Sequence, residues 1–483
     1  MNILGISAGF HDAAACVLDS HGEIVYAGHA ERYSKIKNDP NLHQEMLFDL
    51  SRNHHIDHIA YYETPWKKQL RQLYSGQGIE WSKLTARQVL QQQLGGYFSE
   101  VPITAHNHHL SHAAAGFQTS PFDRATVVVI DAIGEWDTIS IWVAEYVDGC
   151  AKYKKLWYQR YPKSIGLFYS AITERIGLRP MEDEYITMGM SGWGQPKYTD
   201  TMSILLNENL HVGVGQMFLP TAQDVDIAAS AQVIAEQEIY SIMQRAQAFG
   251  WSRNLVYMGG VALNCLANRN LGEYFEKIWI MPNPGDAGSS LGAAALAYGK
   301  KIKWNNAFLG HEISGPYPVS PLVDSLLRDK IVGVASGRAE FGPRALGNRS
   351  LLADPRGPDI KDRVNAIKRR QQFRPFAPVI LEEYANVYFD MPPGFVDSRY
   401  MQIVGRCRNP DLFPAITHVD GTSRIQTVPA DGSGIRQLLE AWYTATGCPM
   451  LLNTSLNIRG EPMVNDRADA DRFEKLYGVK VCS

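Results

Sequence analysis

The chain predicts an α/β protein: a duplicated N-terminal part followed by a second, smaller α/β domain. Three observations carry this. Short apolar and β-branched runs alternate with amphipathic helical patterns through the first part of the chain. Two sets of these strands end in acidic or glycine-rich loops, the position where α/β proteins bind ligands. A stretch rich in Gly, Pro and polar residues, Asn305–Pro321, then separates an arginine-rich remainder. The expected domains are 1–310 and 322–483, with the extreme C-terminus packing back on the first. Such a repeated order suits the duplicated fold of the actin–sugar kinase–Hsp70 class, in which ATP sits between two lobes.

The elements follow in order. Asn2–Ser7, Ala13–Leu18 and Glu23–Ala27 read as strands joined by turns, with His11 and Asp12 in the first loop. His11 there is either a surface histidine or a group facing a ligand. The charged connection Ala30–Asp39 carries Lys37. Helical periodicity covers Leu42–Asn53, Trp66–Leu73 and Leu84–Gly96, with a strand at Ile56–Tyr62. In Thr104–Thr119, His108 and His112 are four apart ahead of an alanine-rich run. On a helix their Cβ atoms lie about 6 Å apart on one face, within reach of one metal ion. Helix-start histidines bonded to backbone are the plainer alternative, and His109 points elsewhere. Arg124–Asp131 is a strand buried on both faces, ending in Asp131 and a glycine turn.

A hairpin (Thr138–Glu145, Lys152–Gln159), a helix (Ile165–Ile176), a loop (Glu182–Gly194) and a long helix (Val225–Phe249) follow. After the strand Asn254–Met258, the turn Gly259-Gly260 through Asn264 offers the close backbone approach that suits a nucleotide. A second turn, Asn283–Ser290, contains Asp286 and opens the small-residue helix Leu291–Tyr298. Beyond the boundary and the strand Lys330–Ala335, Gly337–Gly357 sets Arg338, Arg344, Arg349 and Arg356 among glycines and prolines. Guanidinium forks in such a setting recognise phosphates or carboxylates, whereas a merely solvated loop would not interleave Phe341, Leu346, Leu351 and Leu352. Lys368–Pro378, His418–Val428 and Pro449–Pro462 add basic, hydroxyl and amide groups beside short strands, again suited to an anion.

Composition narrows the class. Hydrophobic residues make up 45%, enough for a sizeable core, and a formal charge of -3 gives no global field for a polyanion. Six scattered cysteines, none in a C-x-x-C pair, argue against zinc ribbons and disulfide frameworks. MNILGISAGF reads as a strand, not a signal peptide, and no apolar run approaches 18 residues. A soluble, cytoplasmic protein without membrane partners is expected.

Taken together, GISAGFHDAAA (5–15), AERYSKIK (30–37), HHLSHAAAGF (108–117), IDAIGEWD (130–137), GGVALNC (259–265), NPGDAGSSLGAA (283–294), GRAEFGPRALGNRS (337–350), FRPFAP (373–378), HVDGTSRIQTV (418–428) and LLNTSLNIRGEP (451–462) resemble the O-carbamoyltransferases of nodulation-factor and antibiotic biosynthesis. The resemblance implies an actin/Hsp70-like metal domain followed by an acyl-adenylate-forming (YrdC-like) domain. It also implies an ATP-dependent enzyme that makes carbamoyl-adenylate from carbamoyl phosphate and ATP, then carbamoylates a hydroxyl. The metal ligands would be His108, His112, Asp131 and Asp286, holding iron(II), with zinc or manganese as alternatives and Mg2+ accompanying ATP. Lys368, Arg374, Arg424 and Ser455 would bind carbamoyl phosphate. Arg338, Arg344 and Arg349 would line or brace that basin, and Asn453 and Asn457 would face the carbamoyl group. Gly259, Gly260 and Asn264 would meet the adenosine, Lys37 the nucleotide or acceptor, and His11 would act as base. The acceptor would be a small molecule or modified nucleotide, with 5-hydroxymethylcytosine in DNA as the alternative, and the assembly a homodimer. A non-catalytic ATP-binding module is the rival reading. Two departures stand out: the chain is short for the family, and Leu456 replaces an expected Phe.

Overall fold

The computed structural model describes residues 1–395 and 397–483. It comprises two compact units, Met1–Ser34 with Asn38–Ala267 and Leu271–Asn305, and Lys35–Lys37 with Asn268–Asn270 and Asn306–Ser483.

In the first unit β1 (Ile3–Ser7), β2 (Ala14–Leu18), β3 (Ile24–His29), β4 (His58–Tyr61) and β5 (Ile103–Ala105) form a sheet in the order β3-β2-β1-β4-β5. A second sheet contains β6 (Arg124–Gly134), β7 (Asp137–Val147), β8 (Cys150–Arg160), β9 (Asn254–Met258) and β10 (Lys277–Trp279), in the order β10-β9-β6-β7-β8. The two sheets repeat one plan. In each, the first three strands form an antiparallel meander, the fourth joins parallel to the first, and the fifth parallel to the fourth. The β-branched run in β6 has no exposed face, since helices His108–Thr119, Ile165–Arg175 and Asp224–Ala248 all pack on it. Helix His108–Thr119 also crosses helix Ser289–Tyr298, which lies on β1, β2 and β4. That crossing needs Gly292, because a Cβ there would stand 1.8 Å from the Ser111 carbonyl oxygen.

The second unit pairs β11 (Phe308–Ile313) with β13 (Gly337–Glu340). Its main sheet combines β12 (Ile331–Ala335), β14 (Arg349–Ala353), β15 (Ala377–Leu381), β19 (Gln426–Val428), β20 (Met450–Ser455) and β21 (Val481–Cys482), in the order β19-β15-β20-β14-β12-β21. A small sheet holds β16 (Phe389–Asp390), β17 (Val404–Cys407) and β18 (Thr422–Arg424). The core of this unit centres on Trp442, Phe389, Phe413 and Leu452.

The C-terminal Val481 and Cys482 pair with Gly333 and Val334 in the second unit's own sheet. Two expectations are corrected. The Gly/Pro-rich stretch 305–321 is not a plain connector, since Phe308–Ile313 is a strand and Val319 begins a helix. Glu182–Gly194, read as a loop, contains the helix Glu184–Ser191, whose Ile186, Thr187 and Met188 are buried. Its glycines suggest a loop, but burial of that face overrides the weak local propensity.

Candidate functional site

The helix of the two histidines begins under close control. Asn107 is its N-cap, accepting from the Leu110 N–H at 3.1 Å. The Glu135 carboxylate adds a second anchor, accepting from Asn107 Nδ2 at 2.7 Å, the Thr64 N–H at 2.7 Å and the His108 N–H at 3.3 Å. A negative charge at the positive end of a helix is favourable, and here it fixes the turn that carries His108. Glu135 lies in the tight β6–β7 turn at φ +57°.

Four buried side chains then converge. His108 Nε2 lies 3.1 Å from His112 Nε2, 3.3 Å from Asp131 Oδ2 and 3.2 Å from Asp286 Oδ1. His112 Nε2 lies 3.7 Å from Asp131 Oδ2 and 3.2 Å from Asp286 Oδ1. One ligand atom from each falls within 4.8 Å of all the others. Asp131 comes from the end of β6, where Gly260 N–H donates to its Oδ1 at 3.3 Å. Gly259, at φ +93°, brings the turn so close that a Cβ would stand 2.1 Å from the Ile130 carbonyl oxygen. The paired glycines therefore hold Asp131.

The electrostatics are those of a closed cluster. Burial disfavours charging His108, but the Asp286 carboxylate and contacts to Asp131, Asp286 and Glu63 outweigh it and hold the imidazole well above its usual range. Burial likewise opposes ionisation of Asp131, yet His108 and His112 keep it well below the ordinary carboxylate range. The 3.1 Å between the imidazole nitrogens suits one N–H donated to the other ring's lone pair, and with a cation bound both lone pairs would turn inward. Two nitrogens and two carboxylate oxygens at one buried point fit a divalent metal that keeps open positions.

His11, at 29% side-chain exposure, stands at the rim with Nε2 3.7 Å from Asp286 Oδ2. His109 is excluded: its Nδ1 bonds Ser140 Oγ at 2.7 Å, and burial pushes its pKa well down. Asn264 faces Gln232, exchanging amide bonds at 3.0 and 3.1 Å.

The second unit gathers a different set. Lys368 is buried, and its Nζ donates to Ser455 Oγ at 3.0 Å and Asn457 Oδ1 at 2.7 Å. Burial first, then the nearby Arg370 and Arg374 charges, drive its pKa well below the usual lysine range. Strand register brings the other groups to the same end of the sheet. Ser455 pairs with Ser350, beside Arg349; Asn453 pairs with Ala377, three residues after Arg374; and Arg424 precedes β19, parallel to β15.

Several assigned roles change. Arg349 is fully buried, with each nitrogen donating to backbone carbonyls of Asn465, Ser336, Gly337, Asn348 or His311 at 2.9–3.1 Å. It braces the loop, one of the two roles expected for it. Arg338 ties β13 to the carbonyls of Leu309 and Gly310. Asn453 Nδ2 is committed to Ala345 and Gln426, leaving its buried Oδ1 without a hydrogen-bond partner. Arg344 is half-buried in the loop 341–349, whose backbone N–H groups at Leu346, Asn348 and Arg349 converge on Glu340. Lys37 is exposed and belongs to the second unit. Glu63 and Glu135, both buried beside His108, escaped sequence reading because neither belongs to a metal-ligand spacing.

No helix among the described residues is long and apolar enough to cross a membrane. The carbamoyltransferase N-terminus model matches residues 2–218 and 206–295, and the carbamoyltransferase C-terminus model residues 323–481. An uncharacterised protein of Synechocystis is 32% identical over 98% of this chain and 94% of its own. Nodulation protein NolNO of Sinorhizobium fredii is 32% identical over 95% of this chain and 76% of its own. Nodulation protein NolO of Bradyrhizobium diazoefficiens is 33% identical over 75% of each. Among solved structures, HypF of T. kodakarensis aligns with 62% of this chain and 47% of its own at 14% identity, with a TM-score of 0.34 that carries no argument. With both family models matched along nearly the whole length, the chain belongs to the carbamoyltransferase family and is an enzyme.

Proposed function

We propose that this enzyme is an ATP-dependent O-carbamoyltransferase acting in two steps. In the second unit, carbamoyl phosphate loses phosphate to water, and the resulting carbamate attacks the α-phosphorus of ATP, giving carbamoyl-adenylate and pyrophosphate. Lys368, Arg374 and Arg424 would neutralise the anions, with Ser455 and Asn457 orienting them. The depressed pKa of Lys368 supports this, since cations crowded in a buried place call for an anionic ligand. An acyl-adenylate-forming (YrdC-like) role for this unit follows from the same proposal, as does an actin-like reading of the duplicated sheets of the first. ATP would bring Mg2+.

In the first unit, the acceptor hydroxyl attacks the carbamoyl carbon and AMP leaves. His11, at the rim of the cluster, would take the hydroxyl proton on its neutral imidazole. His108, His112, Asp131 and Asp286 would hold iron(II), or zinc or manganese, supplying Lewis acidity at the adenylate's phosphate. The convergence of these four buried groups beside a half-exposed histidine is the observation that carries the reading. A small-molecule hydroxyl is favoured over duplex DNA, because a net charge of -3 supplies no field for phosphate contacts.

Screening hydroxyl compounds with the protein, ATP and carbamoyl phosphate tests this. Some acceptor should gain the mass of one carbamoyl group. Pyrophosphate release that never leads to such a product, across sugars, aminoglycosides and hydroxymethylated nucleotides, would contradict the transfer step.

A further inference from the structure

We propose that Glu63 is a positioning residue for the metal centre: its carboxylate accepts a hydrogen bond from the Nδ1–H of His108, keeps the ring proton there, and so turns the Nε2 lone pair towards His112, Asp131 and Asp286. The inference rests on the metal reading above.

Glu63 follows β4 by two residues and is buried. Its two oxygens have separate surroundings. Oε1 accepts from Lys68 Nζ at 2.8 Å and from the Tyr61 hydroxyl at 3.4 Å. Oε2 stands 3.7 Å from His108 Nδ1, on the side of the ring away from the cluster. Lys68 therefore supplies the counter-charge that makes a buried carboxylate tolerable, while the second oxygen faces the imidazole.

A histidine can offer its Nε2 lone pair to a cation only when the ring proton sits on Nδ1. That N–H is buried at His108 and has no hydrogen-bond partner. A buried N–H left unpaired costs about 1–3 kcal/mol. At 3.7 Å the contact is longer than a hydrogen bond, so the inference requires a small rotation of the carboxylate about its broad terminal torsion. An anionic acceptor also makes the imidazole a stronger ligand. His112 has no such support: its Nδ1 is buried without a hydrogen-bond partner, and its contacts to Asp131 and Asp286 both run through Nε2. The two histidines are thus unequal ligands, and Glu63 accounts for the difference. The tether extends further, because the Tyr61 hydroxyl also donates to the Ala8 carbonyl at 2.7 Å, three residues before His11.

Calorimetric titration of the metal-free protein with cobalt(II) tests the assignment, comparing wild type, Glu63→Gln, Glu63→Ala and Lys68→Met. Glu63→Ala should weaken binding by about 10–100-fold, and Glu63→Gln by less, since its amide oxygen still accepts. Lys68→Met leaves the buried carboxylate without its counter-charge and should weaken binding too, though by less than Glu63→Ala. The rise in Tm on adding cobalt(II) should shrink for both Glu63 variants, which a purely structural Glu63 would not cause because it would lower both forms alike. If Glu63→Ala fails to fold, the isosteric Glu63→Gln decides. Wild-type affinity in the Glu63 variants, or an equal loss in Lys68→Met, would overturn the inference. Failure of the wild type itself to bind cobalt(II) would overturn the metal reading, and this inference with it.

Discussion

Arg349 and Arg374 belong to neighbouring basic motifs, yet the structure gives them different work. Arg349 satisfies carbonyls from four segments inside the second unit, so Arg349→Leu would orphan several buried acceptors at about 1–3 kcal/mol each. Chemical denaturation should show a loss of more than about 3 kcal/mol or outright failure to fold. Arg374 is half-buried and its charge bears on Lys368, so its replacement should instead leave stability nearly unchanged and impair the proposed anion site. The sequence reveals which residues are arginines in an unusual loop, but not which of them point inward. That depends on strand register, which no local pattern encodes. A separate pH effect sits at His106, whose pKa burial and then His58 push down to about 4. The unfolded chain takes up this proton near pH 6.5 while the fold refuses it until about 4. Stability should therefore fall as pH drops through that window, and His106→Gln should remove that share of the fall, read as the difference between the two denaturation midpoints across pH.

At the scale of elements, the turn after β9 and the helix crossing at Gly292 decide where the ligands stand. The i, i+4 spacing of His108 and His112 was legible because helical geometry is local. The strand ends carrying Asp131 and Asp286 were equally readable as cleft positions. One role of Gly259 is not legible: besides the nucleotide approach its turn suggests, the glycine permits a close backbone approach to Ile130 of the neighbouring strand. Glu63 and Glu135 were hidden for the same reason, since they reach His108 only through tertiary packing. Gly292→Val would drive a side chain into the Ser111 carbonyl and force apart the two helices that flank the cluster. The expected outcome is a drop in Tm together with loss of cobalt(II) binding, whereas retained affinity would show that the crossing does not set the ligand geometry.

For the whole molecule, the proposed function assigns two kinds of chemistry to the two units of one chain. The repeated strand plan of the first unit was anticipated from the alternation of strands and loops, and the second unit from its arginine-rich motifs. The units divide between Asn305 and Asn306, inside the stretch read as the boundary, although Phe308–Ile313 looks like linker by composition and becomes a strand only through its partner Gly337–Glu340. If the metal cluster serves transfer and the Lys368 site serves activation, the two steps should fail separately. The direct test is carbamoyl-phosphate-dependent pyrophosphate release from ATP by the wild type, His108→Ala and Arg424→Ala. Wild type and His108→Ala should both release pyrophosphate, His108→Ala should make no carbamoylated product, and Arg424→Ala should release none. No release by the wild type, with or without iron(II), or equal loss in both variants, would contradict the two-step assignment.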